Sequence, residues 1–440
     1  MNKPYIALVG RPNTGKSTLF NRLAGQRISI VEDTPGVTRD RIVTESSWCG
    51  NAFYIIDTGG IEPENDDIIL TQMRRQAEIA MDMADVIVFI ADARQGMTAA
   101  DREIATMIRK SGRPCVLAVN KIDDWNNSYQ AYDFYDLGLG DPLPLSAEHG
   151  LGLGDVLDEV VAKFPEEKKG EENAEGYKIA VVGKPNAGKS TLINHLLGEE
   201  RVIVSEVAGT TRDAIDTIFS YEGEDYVLID TAGIRRKNKT YSAIDHYALV
   251  RATRAIERSD ICLLMIDGTQ GVTEQDVKIA GMISEAYRAV LILINKWDLV
   301  EKETNTMAQM EKDIRKKLHF IDYAPILFLS ALGGSRTEKL MPAVQQVIRQ
   351  YEKRVTTGLL NEVVGDAVLM NSTPSKAGKH LKIYYASQVS AKPPAIVLFV
   401  NDDSLTSRPY TRYLEGRLRA ACGFDGTPLK IIYRNKSEKV

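Results

Sequence analysis

An eight-residue run, Gly10-Arg11-Pro12-Asn13-Thr14-Gly15-Lys16-Ser17, returns 173 positions later as Gly183-Lys184-Pro185-Asn186-Ala187-Gly188-Lys189-Ser190. Each copy follows a short apolar run, at 5–9 and 178–182, and leads into an amphipathic stretch, at 18–24 and 191–197. The pattern G-x-x-x-x-G-K-[ST] between a strand and a helix is a phosphate-binding loop. Its glycines let backbone N–H groups close around an anion at the helix N-terminus. Lys16 or Lys189 reaches the β/γ-phosphates, and Ser17 or Ser190 offers a hydroxyl to Mg²⁺. Thr18 and Thr191 follow in the first helical turn. Chance explains one such run far more easily than two in register, so two nucleoside triphosphate sites are expected.

The duplicated unit is a whole domain. The first copy spans 1–164, with apolar runs at 5–9, 42–47, 52–56, 86–91 and 115–119 alternating with helical patterns at 18–24, 68–82, 99–110 and 153–164. Such alternation predicts an α/β fold, a doubly wound and mostly parallel sheet with ligands at the carboxyl ends of its strands. Runs 42–47 and 52–56, around Cys49-Gly50-Asn51, predict an antiparallel hairpin at one edge. Residues 165–176 are charged and lack apolar periodicity, as a solvated linker does. The second copy covers 177–350. Residues 351–440 read as helix, strand, strand, helix, strand, a small α+β domain. They carry 14 Lys/Arg against 8 Asp/Glu, a local +6 that leaves −11 for the rest of a chain of net charge −5. Indiscriminate nucleic-acid binding is thereby disfavoured, whereas the basic terminal domain can carry a directed electrostatic footprint. The four cysteines stand apart with no metal-ligand spacing, and no apolar stretch approaches the roughly 20 residues of a membrane helix. A cytoplasmic protein with no membrane association and no N-terminal leader is expected.

Three further duplicated motifs identify the nucleotide. Asp57-Thr58-Gly59-Gly60 and Asp230-Thr231-Ala232-Gly233 match D-x-x-G about 40 residues after each loop. The aspartate suits Mg²⁺ and the last glycine N–H suits a γ-phosphate. Asn120-Lys121-Ile122-Asp123 and Asn295-Lys296-Trp297-Asp298 each close an apolar run. Their Asp carboxylates can accept from guanine N1–H and the 2-amino group, donors that adenine lacks, and a buried acceptor left unpaired rejects the wrong base by roughly 10⁴. Ser146-Ala147 and Ser330-Ala331 can set a backbone N–H on guanine O6. Thr38 and Thr211 occupy equal offsets from their loops, in segments without periodicity, and can ligate Mg²⁺ by hydroxyl and γ-phosphate by backbone. GTP and GDP are the expected ligands, with Ser17, Thr38 and Asp57, and Ser190, Thr211 and Asp230, around Mg²⁺.

This order of motifs, its duplication and the terminal α+β domain resemble, over the full length, the bacterial tandem GTPases called EngA or Der. The resemblance implies a monomeric GTPase acting in assembly of the large ribosomal subunit on its rRNA, with a KH-like terminal domain. A KH domain grips backbone through a G-x-x-G loop, and 351–440 contain one tetrapeptide of that spacing, Gly423-Phe424-Asp425-Gly426. Its basic residues Lys376, Lys379, Lys382, Lys392, Arg408, Arg412, Arg417 and Arg419 suit either phosphates or the acidic GTPase domains.

Hydrolysis needs an in-line water, Mg²⁺ and positive charge near the β–γ bridge. Where Ras-like proteins place a water-orienting Gln, this chain has Ile61 and Ile234. Slow intrinsic turnover follows, with catalysis resting on Lys16, Thr38 and Gly60 and on Lys189, Thr211 and Gly233. Resemblance to potassium-activated GTPases implies K⁺ at Asn13 and Asn186; the alternative is that these residues only shape the loop. Arg39, Arg212 and Arg235 are the other candidate charges. After D-x-x-G the first copy is acidic (61–67) and the second basic (234–239), which reflects either drift or different docking surfaces. Two other readings remain at this point: an RNA-binding scaffold with one structural nucleotide site, and a tRNA-modification-type GTPase.

Overall fold

The computed structural model describes residues 3–25, 43–57, 74, 77–78, 80–81, 83–165, 176–198, 202–204, 216–230, 245–376 and 378–436. They divide into two compact units on either side of the Glu171/Glu172 boundary. The first unit contains β1 (Tyr5–Val9), α1 (Lys16–Gly25), β2 (Val43–Trp48), β3 (Asn51–Asp57), β4 (Val86–Asp92), α2 (Ala99–Ser111), β5 (Cys115–Asn120), a 3-10 helix (Trp125–Leu137), β6 (Pro142–Pro144) and α3 (Leu153–Ala162). The sheet order is β2-β3-β1-β4-β5-β6. All pairings are parallel except β2 with β3. β1 and β4 are buried at every residue, as strands covered on both faces must be, hence their continuous apolar runs. The edge hairpin turns through two residues, Cys49 and Gly50, with φ 47° and 82°, so Asn51 already belongs to β3. Two positive φ values match the right-handed strand twist.

In the second unit the same plan repeats. β7 (Tyr177–Val182), α4 (Lys189–Leu197), β8 (Val202–Val204), β9 (Thr217–Tyr221), β10 (Glu224–Leu228), α5 (Asp245–Arg258), β11 (Ile261–Asp267), α6 (Glu274–Glu285), β12 (Ala289–Asn295), α7 (Thr306–Lys317), β13 (Ile326–Phe328) and α8 (Leu340–Tyr351) form it. A short strand that the sequence pattern did not reveal, β8, adds a seventh member to the order β13-β12-β11-β7-β10-β9-β8. Alternate residues of β11 and β12 enter two separate cores: Leu263, Met265, Leu291 and Leu293 on one face, Leu264, Ile266, Ile292 and Ile294 on the other. The loop-following helices start identically. Thr98 and Asp101 form a reciprocal capping box on α2, and Thr273 and Asp276 repeat it on α6.

The terminal domain is α9 (Thr357–Met370), a hairpin β14–β15 (Ser375–Lys376, Lys379–His380), β16 (Ile383–Ala391), β17 (Pro394–Val400), α10 (Arg408–Cys422) and β18 (Lys430–Asn435). Its sheet β16-β17-β18 pairs antiparallel, then parallel, and both helices cover one face around Leu360, Leu398, Leu414 and Leu418. It docks on the second GTPase domain through backbone: Val290 N–H donates to Gly426 O at 2.7 Å and Gly426 N–H to Tyr323 O at 2.9 Å. Arg419 lies over the Tyr323 ring at 4.0 Å and donates to Phe424 O and Thr427 O at 2.9 and 2.7 Å. Lys392 pairs with Glu352 and sits over Tyr177. These two cations serve the interface, the second of the two uses that the sequence left open for them. Among the described residues no helix is long and apolar enough to cross a membrane.

Candidate nucleotide sites

Each phosphate loop connects the carboxyl end of a central strand, β1 or β7, to a helix N-terminus. Unsatisfied N–H groups there make an anion site from backbone alone. Asn13 and Asn186 sit at the turn with φ 63° and 62°. Asparagine tolerates this left-handed region better than most side chains, so both residues shape the loop whatever else they do. The lysine closes the curve: Lys16 Nζ donates to Gly10 O at 2.9 Å and Arg11 O at 2.6 Å, and Lys189 Nζ to Gly183 O at 2.8 Å and Lys184 O at 2.7 Å. Burial pulls the Lys189 ammonium down to about 8, against a smaller upward pull from Asp276. Arg11 points sideways, its guanidinium bonded to Asp101 Oδ1 (3.0 Å), Gln95 Oε1 (2.7 Å) and Gly96 O (3.1 Å). Lys184 bonds Gln270 at 2.7 Å. Arg11 and Lys184 thus anchor their loops with side chains turned from the cradle.

The centre of each site is a buried asparagine. Asn120 Nδ2 donates to Thr14 O at 2.7 Å while its Oδ1 accepts from Ala147 N–H at 2.8 Å. Asn295 does the same between Ala187 O (2.7 Å) and Ala331 N–H (2.9 Å). One amide therefore ties the phosphate loop to the Ser-Ala loop through its fixed donor and acceptor. Gly15 and Gly188 have φ 97° and 104°, and a Cβ on either would meet that amide nitrogen at 2.1 Å, so the second glycine of the motif is needed for close approach. The Ala147 and Ala331 N–H groups, read from sequence as donors to guanine O6, are the far ends of these bridges. Ser146 and Ser330 N–H donate to Leu151 O and Ser335 O. All four amides are thus engaged within the protein.

Asp92 and Asp267 are functional residues the motif search missed. Each ends a central strand, is buried, and pairs at 2.6 Å with the motif lysine, Lys121 or Lys296. Both lysines stand at positive φ, 72° and 58°. Burial pulls the Asp267 carboxyl up, but bonds from Lys296 and Thr269 prevail and hold it below the usual carboxylate range. The signal was present, an Asp after an apolar run in both copies, 29 residues before the lysine. Arg22 and His195 occupy equal positions on α1 and α4. Arg22 Nε donates to Ala147 O at 2.8 Å, and His195 Nε2 lies 2.9 Å from Thr337 Oγ1.

The two carboxylates expected to select the base differ. Asp123 accepts from Ser146 Oγ at 2.6 Å and pairs with Arg94, with His149 at 4.0 Å. The Ser146 bond first, then Arg94, hold its carboxyl below the usual range. Asp298 is exposed, and Thr269 stands where the first copy has Arg94. Asp230 follows β10 with φ 59° and donates its N–H to Asp216 Oδ1 at 3.0 Å. Asp216 in turn pairs with Arg258. Burial pushes the Asp230 carboxyl up, opposed by Arg251 and Arg254. Thr38, Thr58, Gly59, Gly60, Ile61, Thr211, Thr231, Ala232, Gly233 and Ile234 lie outside the described residues, as do Arg39, Arg212, Arg235 and the side chain of Asp57.

Comparison with known proteins fits this duplicated geometry. The family described as 50S ribosome-binding GTPase matches residues 5–121 and again 178–296. The KH-domain-like family of EngA bacterial GTPases, C-terminal, matches 354–434. GTPase Der of Clostridium perfringens is 55% identical over 438 residues, covering 100% of both chains. GTPase Der of Alkaliphilus oremlandii is 54% identical over 437 residues, 99% of each. The chain belongs to the Der (EngA) GTPase family. It is a GTP-binding, GTP-hydrolysing enzyme with two tandem GTPase domains and a KH-like terminal domain. Among solved structures it is similar to Era bound to MgGDPNP and a 16S rRNA segment, at 23% identity and TM-score 0.31, covering 60% of this chain and 93% of that one; a likeness at that level carries no inference about ligands.

Proposed function

We propose that this Der-family enzyme uses its two GTP sites as a switch in assembly of the large ribosomal subunit, contacting rRNA. The observation that carries the reading is the description of the family matched by both GTPase domains. The +6 charge of residues 351–440 supports it. Membership in a bacterial family supports a cytoplasmic, monomeric protein.

In this reading Ser17, Thr38 and Asp57 hold Mg²⁺ in the first site, and Ser190, Thr211 and Asp230 in the second. The donor set fits: hydroxyl and carboxylate oxygens suit a hard cation. Asp230, a desolvated carboxyl beside the phosphate loop, is suited to a cation partner. When bound, Mg²⁺ neutralises charge developing on the phosphate oxygens. Backbone N–H groups of the cradle orient the polyphosphate, while Lys16 and Lys189 leave their loop carbonyls for it. Backbone at Thr38, Gly60, Thr211 and Gly233 positions the γ-phosphate and water, since Ile61 and Ile234 cannot. Asn13 and Asn186 offer amide oxygens to K⁺. Turnover is expected to be faster in KCl than in NaCl at equal ionic strength, and equal rates would remove K⁺ from this scheme.

Co-sedimentation with ribosomal subunits tests the proposal. The full chain is expected to travel with large subunits in one nucleotide state, GTP analogue or GDP, and to leave them in the other. Binding indifferent to nucleotide, or to the small subunit alone, would sink it. Lys16→Ala and Lys189→Ala, made separately, are both expected to impair that switching. A scaffold with one structural site would tolerate one of them.

A further inference from the structure

The first GTPase domain presents a surface that nucleotide chemistry does not use. Between β5 and β6 the chain runs as a 3-10 helix, Trp125–Leu137. Three residues per turn align positions i and i+3. Ala131, Phe134 and Leu137 accordingly form a buried row. Tyr129, Tyr132 and Tyr135 form a parallel row facing out, 60%, 62% and 48% exposed. Tyr132 and Tyr135 stack at 5.9 Å, and Tyr135 Oη donates to Asp141 at 3.0 Å, which fixes the end of the row. Packing does not require three exposed rings in register.

Charge narrows what such a row fits. Residues 122–141 contain five Asp and no Lys or Arg. Asp133 and Asp136 are exposed beside the rings. Beside the rings, Arg102 is 3.9 Å from Asp136 in a solvated pair, worth little. The second GTPase domain provides an internal contrast: its counterpart between β12 and β13, 297–325, has six acidic and five basic residues, is largely the α-helix α7, and holds one tyrosine, Tyr323, which lies under Arg419. The fold therefore demands neither the rings nor the charge. Nucleic-acid phosphates would meet the exposed carboxylates of Asp133, Asp136 and Asp141. A guanidinium, planar and weakly hydrated, stacks on tyrosine faces and pairs with carboxylates at the rim.

We propose that Tyr129, Tyr132 and Tyr135, with Asp133 and Asp136, dock an arginine-rich segment of a partner protein. The test uses the full chain and the Y129A/Y132A variant. Labelled nona-arginine and nona-lysine peptides are titrated by fluorescence anisotropy at physiological salt. Nona-arginine affinity is expected to fall at least about fivefold in the variant, two exposed cation–π contacts being lost, and nona-lysine affinity less than about twofold. Melting temperature and GTP turnover are expected to hold, because both rings lie on the surface. Unchanged nona-arginine affinity overturns the proposal. So does loss of oligo(U) RNA binding on the same substitutions with nona-arginine unaffected, or a wild-type dimer in sedimentation that the variant dissolves.

Discussion

At the scale of single residues, two buried side chains have consequences out of proportion to their size. Asn120→Ala or Asn295→Ala removes one amide but strands two partners, a loop carbonyl and an alanine N–H, away from water. Each orphaned group costs about 1–3 kcal/mol, so either variant is expected to lose about 2–5 kcal/mol in urea unfolding of its own domain. Its site should lose guanine-nucleotide affinity as the two loops part, while the other site keeps its affinity in calorimetric titration. Lys189 gives a prediction in pH. Burial holds it at about 8, against an ordinary 10.5. Between those values the unfolded chain binds more protons, so this group's contribution to stability is present above about 10.5 and lost as pH falls through about 8. A polyphosphate favours the ammonium, so GTP binding at the second site near pH 8.5 takes up a proton. Calorimetry in buffers of different ionisation enthalpy should report that uptake in the wild type and none at this site in Lys189→Met.

At the scale of elements, the loop between β4 and α2 shows how two copies of one design diverge. Arg94 pairs with the Asp123 carboxylate that guanine is expected to use, and Thr269 leaves Asp298 without that competitor. Arg94→Ala is expected to tighten GDP binding at the first site by up to about fivefold, the scale of an exposed pair. Thr269→Arg should loosen the second correspondingly. Each is measured with the other phosphate-loop lysine disabled, and an unchanged constant in both would dismiss the competition. This divergence was invisible in the motifs, because N-K-x-D is identical in form in both copies and the discriminating residue lies 29 positions upstream. Much else was legible: buried parallel strands wrote themselves as apolar runs, and capping boxes and the edge hairpin carry local signals. What local pattern could not show was partnership across the chain. Asp92 with Lys121, and the asparagine bridges, depend on strands brought side by side by the fold. The Trp125–Leu137 helix escaped because its period is 3.0, neither the strand's 2 nor the α-helix's 3.6.

At the scale of the whole molecule, the terminal domain's basic charge divides into two roles. Arg419 and Lys392 are spent on the second GTPase domain, whereas Lys376, Lys379, Arg412 and Lys436 remain on described surfaces. The docking loop enters at β12, the strand that ends in Asn295, so the domain is anchored to the element that leads into the N-K-x-D motif. The attachment is tightly specified. Gly426 sits at φ 69°, and a Cβ there would meet Val347 at 2.7 Å and Val290 O at 3.0 Å. Arg419→Ala forfeits a cation–π contact of about 0.5–2 kcal/mol and strips donors from two loop carbonyls. Scanning calorimetry of the wild type is expected to show the second GTPase domain and the terminal domain melting together. Arg419→Ala should split off the terminal domain as an earlier transition, leaving GTP affinity at the first site unchanged. Arg419→Lys, which keeps the charge but loses the planar fork, is expected to fall between them. If Arg419→Ala melts as the wild type does, the interface rests on the Gly426 backbone contacts together with the Lys392–Tyr177 contact and the Phe424 N–H bond to Gln350, and Gly426→Val becomes the substitution that should release the domain.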